Sequence, residues 1–476
     1  MASVVTLKTR DGGSTALAPE HLDTLRGKLR GPLCLPGEPD FDKARTIWNA
    51  MIDRKPALVV RALGAGDVIA AVRFAREHGL LLAVRAGGHN IAGNAVCDGG
   101  LLLDLSLMRS VRVDPAGRTA RVEPGAVLGD FDREAQSFGL ATPLGINSTT
   151  GVAGLTLGGG FGWLSRKYGL TIDNLISFDI VTANGALVTV TEKDHPDLFW
   201  AVRGGGGNFG VVTSFEFRLH PIGTEVLAGL LIHPLAKAAE VLRAYRKVVA
   251  AAPDELAVWF VLRQAPPLPF LAPEYHGTEV LLLALCWNGD PEAGKNAIGP
   301  VRGLGKPIAE HLGPVPYVAW QQLLDPMLVP GSRNYWKSHS FTELSDGAID
   351  ALVASAKTLP DPQSEIAMAH VGAAINRVAA EATAYPLRNA QFIMNVHTRW
   401  DDAAKDRECV AWARDLFEKM TPFATGGVYV NFMPEDESLR SRPGAYGANY
   451  ERLSKIKAKY DPENLFRMNQ NIAPAR

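Results

Sequence analysis

VRAGGHNIAGN, residues 84–94, sets one histidine, His89, in a glycine-dense loop directly after the apolar run LLLAV. Glycine has no Cβ and reaches positive φ, so such a loop lets backbone lie flush against a flat or anionic ligand. Taken alone, a histidine there is equally well a capping or hydrogen-bonding residue. Three further stretches change its meaning. GVAGLTLGGGFG (residues 151–162) and RGGGGNFGVVTSFEF (residues 203–217) are glycine clusters of the same kind, and NYERLSKIKAKYDPENLFRMNQNIAP (residues 449–474) ends in a run of amides.

Outward from this loop, PALVVRAL, the helical pattern GAGDVIAAVRFAREHG and LLLAVRA make a small β-α-β unit that ends at His89. An amphipathic helix over APEHLDTLRGKLRG precedes it. LLLDLSL, SVRVD and TARVEPGAVLGDF follow as short strands with a turn at Pro115, Ala116 and Gly117, then a helix over GDFDREAQSFG and a loop over residues 145–162. SFDIVTANGALVTVT carries Asn184-Gly185, the signature of a two-residue hairpin turn. Beyond Pro221 the character shifts to long apolar strands, such as AVWFVLRQ, EVLLLALCW and AQFIMNVHTRW, alternating with helices over LAKAAEVLRAYRKVVAAA and AAKDRECVAWARDLFEKM. Strands and helices around one sheet suit a second domain covering a ligand held by the first. GGVYVNFM reads as a strand, and the YGANYERL helix after it is expected to return to the first domain.

The segment GGGNFG (residues 205–210) matches G-x-G-x-x-G, but the phosphate site of a nicotinamide-binding Rossmann domain needs a helix next. VVTSFEFRLH is β-branched, aromatic and alternating, hence a strand, so these glycines are read as an anion-holding nest of backbone N–H groups. The chain has 476 residues, 49 basic against 50 acidic and a net charge of −1, which points to neither nucleic acid nor an anionic membrane as partner. Cys34, Cys97, Cys286 and Cys409 are scattered, with no C-x-x-C pair and no histidine cluster at metal spacing, so reduced thiols and no metal are expected. The first residues lack the basic head and apolar core of a signal peptide, and no apolar run reaches the roughly 20 residues of a membrane span. The expected location is the cytoplasm, and the expected assembly a monomer or homodimer.

Together the GGH loop, the two later glycine clusters and the DPENLF…NQNI tail resemble the berberine-bridge-enzyme-like FAD-linked oxidases of the vanillyl-alcohol-oxidase superfamily. The resemblance implies an α+β, two-domain PCMH-type FAD-binding fold whose substrate domain is an antiparallel sheet backed by helices. Its parts would be an FAD-binding domain over residues 1–222 (core about 53–222), a substrate domain over 223–420 and a segment over 421–476 returning to the FAD domain. FAD would be bonded covalently through His89. Arg85, Gly87, Gly88, Asn90 and Asn94 would wrap the pyrophosphate and dimethylbenzene side. Gly125, Gly145, Ser148, Thr149, Gly154 and Leu155 would line the isoalloxazine and ribityl chain, Gly210 and Val212 the adenosine side, and Asn469, Gln470 and Asn471 would close over the ring.

Two departures from the family follow from the residues. Asn147 stands where doubly linked members have a second, cysteinyl bond to flavin, so a single bond through His89 is expected. No glutamate stands where the berberine bridge enzyme has its base; the aligned stretch AAINRVAAEA (residues 373–382) offers Asn376 and Arg377. The resemblance makes Tyr446, in AYGANY, the nearest match to the tyrosine base of bacterial relatives. Strand alternation adds Tyr429 with Asn431, and His397 with Asn395, as pairs sharing a face. Tyr335, Trp336 and Lys337 fit pocket wall and core equally. The implied activity is hydride transfer from an alcohol, amine or sugar lactol carbon of a small molecule to FAD, then to O2. Thr150, small and at the position that gates oxygen in the family, favours an oxidase; alternatives are a dehydrogenase with another acceptor and a noncatalytic flavin-binding protein.

Overall fold

Strands Leu58–Arg61, Leu82–Arg85 and Leu101–Asp104 run parallel, and Leu33–Cys34 pairs antiparallel at one edge. These and all other elements come from a computed structural model that describes residues 4–437 and 442–476. The helix Ala65–Glu77 buries Val68, Ala71, Val72 and Ala75 on its way between the first two strands. The expected β-α-β unit is present, with one difference: the later strand Leu101–Asp104 is inserted between its two strands. That insertion sets Asp104 opposite both Arg61 and Arg85, whose Nε and Nη1 donate to its carboxylate at 3.1 and 2.9 Å. The strand Leu82–Arg85, which ends just before the His89 loop, is thereby held at Arg85 by a buried carboxylate that is paired from both sides.

A second, antiparallel sheet carries the order Leu187–Thr191, Leu175–Val181, Val211–Arg218, Thr119–Val122, Val111–Asp114. The Asn184-Gly185 hairpin forms, but its turn is longer than two residues. Thr182 N donates to Ala186 O at 3.0 Å, closing three residues, with Gly185 at φ 75°. Asn184 Oδ1 takes the Ala186 N–H and the Thr182 hydroxyl, and these side-chain bonds favour the wider turn over the two-residue form. The strand expected after GGGNFG is Val211–Arg218. The segment 145–162, expected as loop, contains a helix, Val152–Leu157, that starts at Gly151.

Residues 225–400 build seven antiparallel strands in the order Ala309–Pro316, Glu225–Pro234, Glu279–Trp287, Leu256–Gln264, Glu365–His370, Phe392–Trp400, Arg333–Phe341. The first of these has no alternating pattern and carries two prolines, which only an edge strand tolerates. Helices Leu235–Ala250, Asp346–Ala356 and Asp406–Met420 cover one face, burying Tyr245, Leu352 and Leu416 against Phe260, Leu283 and Met394. The other face presents Trp259, Ala369 and Ile393 to Phe161, Trp163 and Tyr429 from the rest of the chain. This is the helix-backed antiparallel sheet that the resemblance implies.

The tail packs against the region of the glycine loops. Helix Tyr450–Tyr460 buries Leu453 in a core with Trp200 and Phe209, and Lys457 Nζ donates to Asn208 O at 2.6 Å and to Asp461 at 2.6 Å. GGVYVNFM, however, is not a strand: Val430–Phe432 is a single 3-10 turn. Among the described residues no helix is long and apolar enough to cross a membrane, and no group of three His, Cys, Asp or Glu could hold a metal ion.

Candidate active site

Between the glycine loops and the uncovered face of the seven-stranded sheet lies a long cleft, lined on one side by glycine backbone and on the other by sheet side chains. His89 stands in its wall with its ring stacked on Trp48, centroids 5.0 Å apart and planes 20° from parallel. Burial, partly offset by a hydrogen bond to the Thr149 backbone, pushes the imidazole down to about 4, so the ring is neutral at physiological pH.

A short relay fixes the ring's tautomer. Asn147 Oδ1 accepts from Thr149 N at 3.0 Å and from Thr149 Oγ1 at 2.8 Å. Having donated its only proton, Thr149 Oγ1 is left to accept from His89 Nε2, 3.1 Å away. Nε2 therefore carries the hydrogen, and Nδ1 keeps a free lone pair. The loop is clamped from outside: Ser148 N and Oγ donate to the Asp325 carboxylate, the former at 3.0 Å, and Trp48 Nε1 donates to Leu328 O at 3.1 Å.

Gly87 and Gly151 bring the two glycine loops into backbone contact. A Cβ on Gly87 would sit 2.4 Å from Gly151 Cα, so only glycine permits the approach, and both residues line the cleft. Further along, Gly206, Gly207 and Asn208 face the C-terminal amides. Asn469 Nδ2 donates to Gly207 O at 3.0 Å, and Asn208 Nδ2 to Gln470 O at 3.2 Å. Gln470 Oε1 is buried without a partner among the described residues. A long wall of glycine backbone closed by amides fits an extended cofactor with a pyrophosphate, held without basic side chains.

Of the residues expected at the cofactor, Gly87, Gly88, Asn90, Asn94, Gly145 and Gly154 line the cleft, as do Leu155, Gly210, Val212, Asn469 and Gln470. Arg85, Gly125, Ser148, Thr149 and Asn471 stand outside that lining. Arg85 is paired with Asp104. Gly125 is pressed against Leu105, whose carbonyl oxygen would lie 2.0 Å from a Cβ. Ser148 and Thr149 act on Asp325 and His89 as described, and Asn471 Oδ1 is buried without a partner among the described residues.

All three candidate catalytic residues line the cleft, at different places. Tyr446 belongs to the core of the first domain, its hydroxyl donating to Gln470 O at 3.2 Å. Tyr429 belongs to the core shared with the sheet, its ring 4.9 Å from Phe161 and 4.8 Å from Phe432. Its oxygen accepts from Asn431 Nδ2 at 2.9 Å and from Gly160 N at 3.1 Å, so the pairing expected from strand alternation is made instead by the 3-10 turn. Burial pushes its hydroxyl up to about 12, against the pull of those two donors. His397 is on the sheet, its Nδ1 3.2 Å from Glu365 Oε1.

Asn376 and Arg377 are not in the lining. Asn376 Nδ2 donates to Ala390 O at 3.0 Å and Arg377 pairs with Asp254. The sheet positions that do face the cleft there are Ala367 and Ala369. Trp48, Trp259, Leu324, Leu328, Trp336 and Glu365 complete the wall and were not singled out as site residues, Trp336 having been left between wall and core. Glu365 alone left a trace in the sequence, a charge opening the otherwise apolar strand EIAMAH.

Residues 56–191 match the family described as FAD binding domain, and residues 428–473 the one described as berberine and berberine like. An FAD-linked oxidoreductase of Dictyostelium discoideum is 33% identical, covering 90% of this chain and 91% of its own length. The chain belongs to the berberine-bridge-like FAD-linked oxidoreductases. It is also 32% identical to (R)-6-hydroxynicotine oxidase of Paenarthrobacter nicotinovorans over 94% of this chain and 99% of that one. The crystal structure of 6-hydroxy-D-nicotine oxidase from Arthrobacter nicotinovorans superposes with a TM-score of 0.85 at 28% identity, covering 94% of this chain and 98% of that chain. Membership makes the protein an FAD-dependent oxidoreductase with a PCMH-type FAD-binding fold.

Proposed function

We propose that the cleft holds FAD covalently through His89 Nδ1 and that the protein is an oxidase acting on an alcohol, amine or sugar lactol carbon of a small molecule. The observation that carries this reading is the Asn147–Thr149–His89 relay, which leaves a neutral imidazole with its Nδ1 lone pair available beside two touching glycine loops. Gly87, Gly88, Asn90 and Asn94 would hold the flavin's dimethylbenzene side. Gly145, Gly154 and Leu155 would hold the ring, and Gly210, Val212, Asn469 and Gln470 the remainder. When bound, FAD accepts a hydride from the substrate carbon and gives two electrons to O2, with peroxide as the second product.

The heteroatom's proton goes to Tyr429 in its phenolate form, whose oxygen is held by Asn431 and Gly160 on the side of the cleft that faces the sheet. Tyr446, against Gln470, holds the closing C-terminal segment instead. Because burial keeps the Tyr429 hydroxyl near 12, its base form grows with pH. Anaerobic flavin reduction should climb through the neutral and alkaline range by close to about tenfold per pH unit, as for any group well below its pKa. A rate that levels off near neutrality assigns the proton to another group.

Thr149→Val removes the hydroxyl that takes the Nε2 hydrogen while keeping the shape of the side chain. A part of the flavin should then be released by acid, where the parent releases none; complete covalent incorporation in this variant would remove the relay from the account. For the activity itself, alcohols, amines and reducing sugars are screened aerobically for peroxide and anaerobically for flavin bleaching. Bleaching without peroxide makes the protein a dehydrogenase, and no bleaching by any compound sinks the catalytic reading.

A further inference from the structure

Opposite the glycine loops, alternate residues of four strands form the floor of the cleft, and the register sorts them into rows. One row is Arg263, Glu365, His397 and Trp336; the next contains Val261, Ala367, Asn395 and Ser338; Ala369 and Ile393 follow. The first row is polar and tightly made. Arg263 Nη1 lies 2.6 Å from Glu365 Oε2, and Glu365 Oε1 lies 3.2 Å from His397 Nδ1. Burial acts to raise the Glu365 carboxyl, but Arg263 and the His397 hydrogen bond outweigh it and bring it down to about 2. Glu365 Oε1 accepts from His397 Nδ1, which sets the tautomer that has its lone pair on Nε2.

That lone pair has nothing to receive. His397 is 4% exposed, and its Nε2 has no partner among the described residues; the same holds for the buried Oδ1 of Asn395 in the next row. Both residues line the cleft. The other side chains around it are Ala367, Ala369, Ile393, Trp259 and, 4.6 Å from the imidazole and edge-on to it, Trp336, each tryptophan with a buried Nε1 that has no partner among the described residues. Flat aromatic and apolar faces of this kind stack on a ring and offer few partners to the many hydroxyls of a polyol.

We propose that His397, oriented by Glu365, is the specificity-determining residue of this oxidoreductase, and that its substrate is a flat, mainly apolar ring bearing an O–H or ring N–H donated to His397 Nε2. The proposal rests on the reading of the cleft as the flavin and substrate site. His397 touches the substrate away from the reacting carbon, and Glu365 is a positioning residue acting through it.

Calorimetric titration of the purified holoenzyme with 4-ethylphenol, its methyl ether 4-ethylanisole and D-glucose tests this, with flavin content read separately from visible absorbance. The phenol should bind more than about tenfold tighter than the ether, since a site built for a hydroxyl rejects the analogue lacking it, and glucose should give no heat of binding. His397→Phe should bring phenol and ether within about twofold of each other. His397→Gln, which returns an acceptor near the Nε2 position, should restore part of the preference. Glu365→Gln should weaken the phenol alone. Equal binding by the parent, a preference that survives His397→Phe, or tighter binding of glucose overturns the proposal. Absence of covalent flavin from the same samples bears on the cofactor reading alone, because calorimetry reads the floor of the cleft whatever the flavin content.

Discussion

His89→Ala should release the flavin from the polypeptide. The parent protein, precipitated with acid, should leave a yellow pellet and a colourless supernatant, and its intact mass should exceed that of the chain by one FAD. In the variant the colour should move entirely to the supernatant. The effect is all-or-none because the described cysteines offer no substitute nucleophile: all four are buried, and burial pushes the Cys97 thiol up to about 12, far from a thiolate at neutral pH. For the same reason proteolysis of the parent should give one flavinylated peptide, the one containing His89. Asn147, at the position of the second bond in doubly linked relatives, has another task here in holding Thr149. A yellow pellet from the variant, or a flavin peptide containing a cysteine, would end the assignment of His89 as the single attachment point.

The glycine loops were legible in the sequence because their function is local. A run such as VRAGGHN has its meaning in backbone freedom, which depends on composition within a few residues, and the same holds for the strand after GGGNFG that excluded a Rossmann site. The wall opposite was largely illegible. Trp48 and His89 stack, and Glu365 and His397 pair across neighbouring strands, between residues far apart in the sequence, and no periodicity carries that information. Arg85 shows the converse. Its place at the strand end suits an anion, yet the insertion of Leu101–Asp104 beside it supplies Asp104, a partner 19 positions away in sequence. Tyr429 and Asn431 were paired correctly by an argument from strand alternation that does not apply to them. A 3-10 turn with i and i+2 on converging sides brings the same atoms to 2.9 Å.

The partners of each hydroxyl support Tyr429 over Tyr446 as the group that takes the proton. The Tyr446 hydroxyl donates to a backbone carbonyl, Gln470 O, which ties the residue to the closing segment. The Tyr429 oxygen instead accepts from two N–H donors, which stabilise the phenolate against the larger opposing effect of burial and leave the hydroxyl hydrogen to point away from both. Tyr429→Phe should therefore slow anaerobic flavin reduction at saturating substrate by about 10² to 10⁴, the range that general-base catalysis contributes. Stability moves too, since the Gly160 N–H and the Asn431 amide lose an acceptor, a cost of about 1–3 kcal/mol for a buried donor left unpaired. Stability alone does not discriminate, so the rate is measured per folded, flavin-loaded molecule by stopped flow. Tyr446→Phe is the control. It loses the hydrogen bond to Gln470 O, about 1 kcal/mol, and should reduce its flavin within about threefold of the parent, far short of the general-base range. If the two variants exchange behaviours, with Tyr446→Phe slow and Tyr429→Phe near the parent rate, the proton passes to the C-terminal tyrosine and the polar turn around Tyr429 is scaffolding for the Gly158–Gly160 backbone.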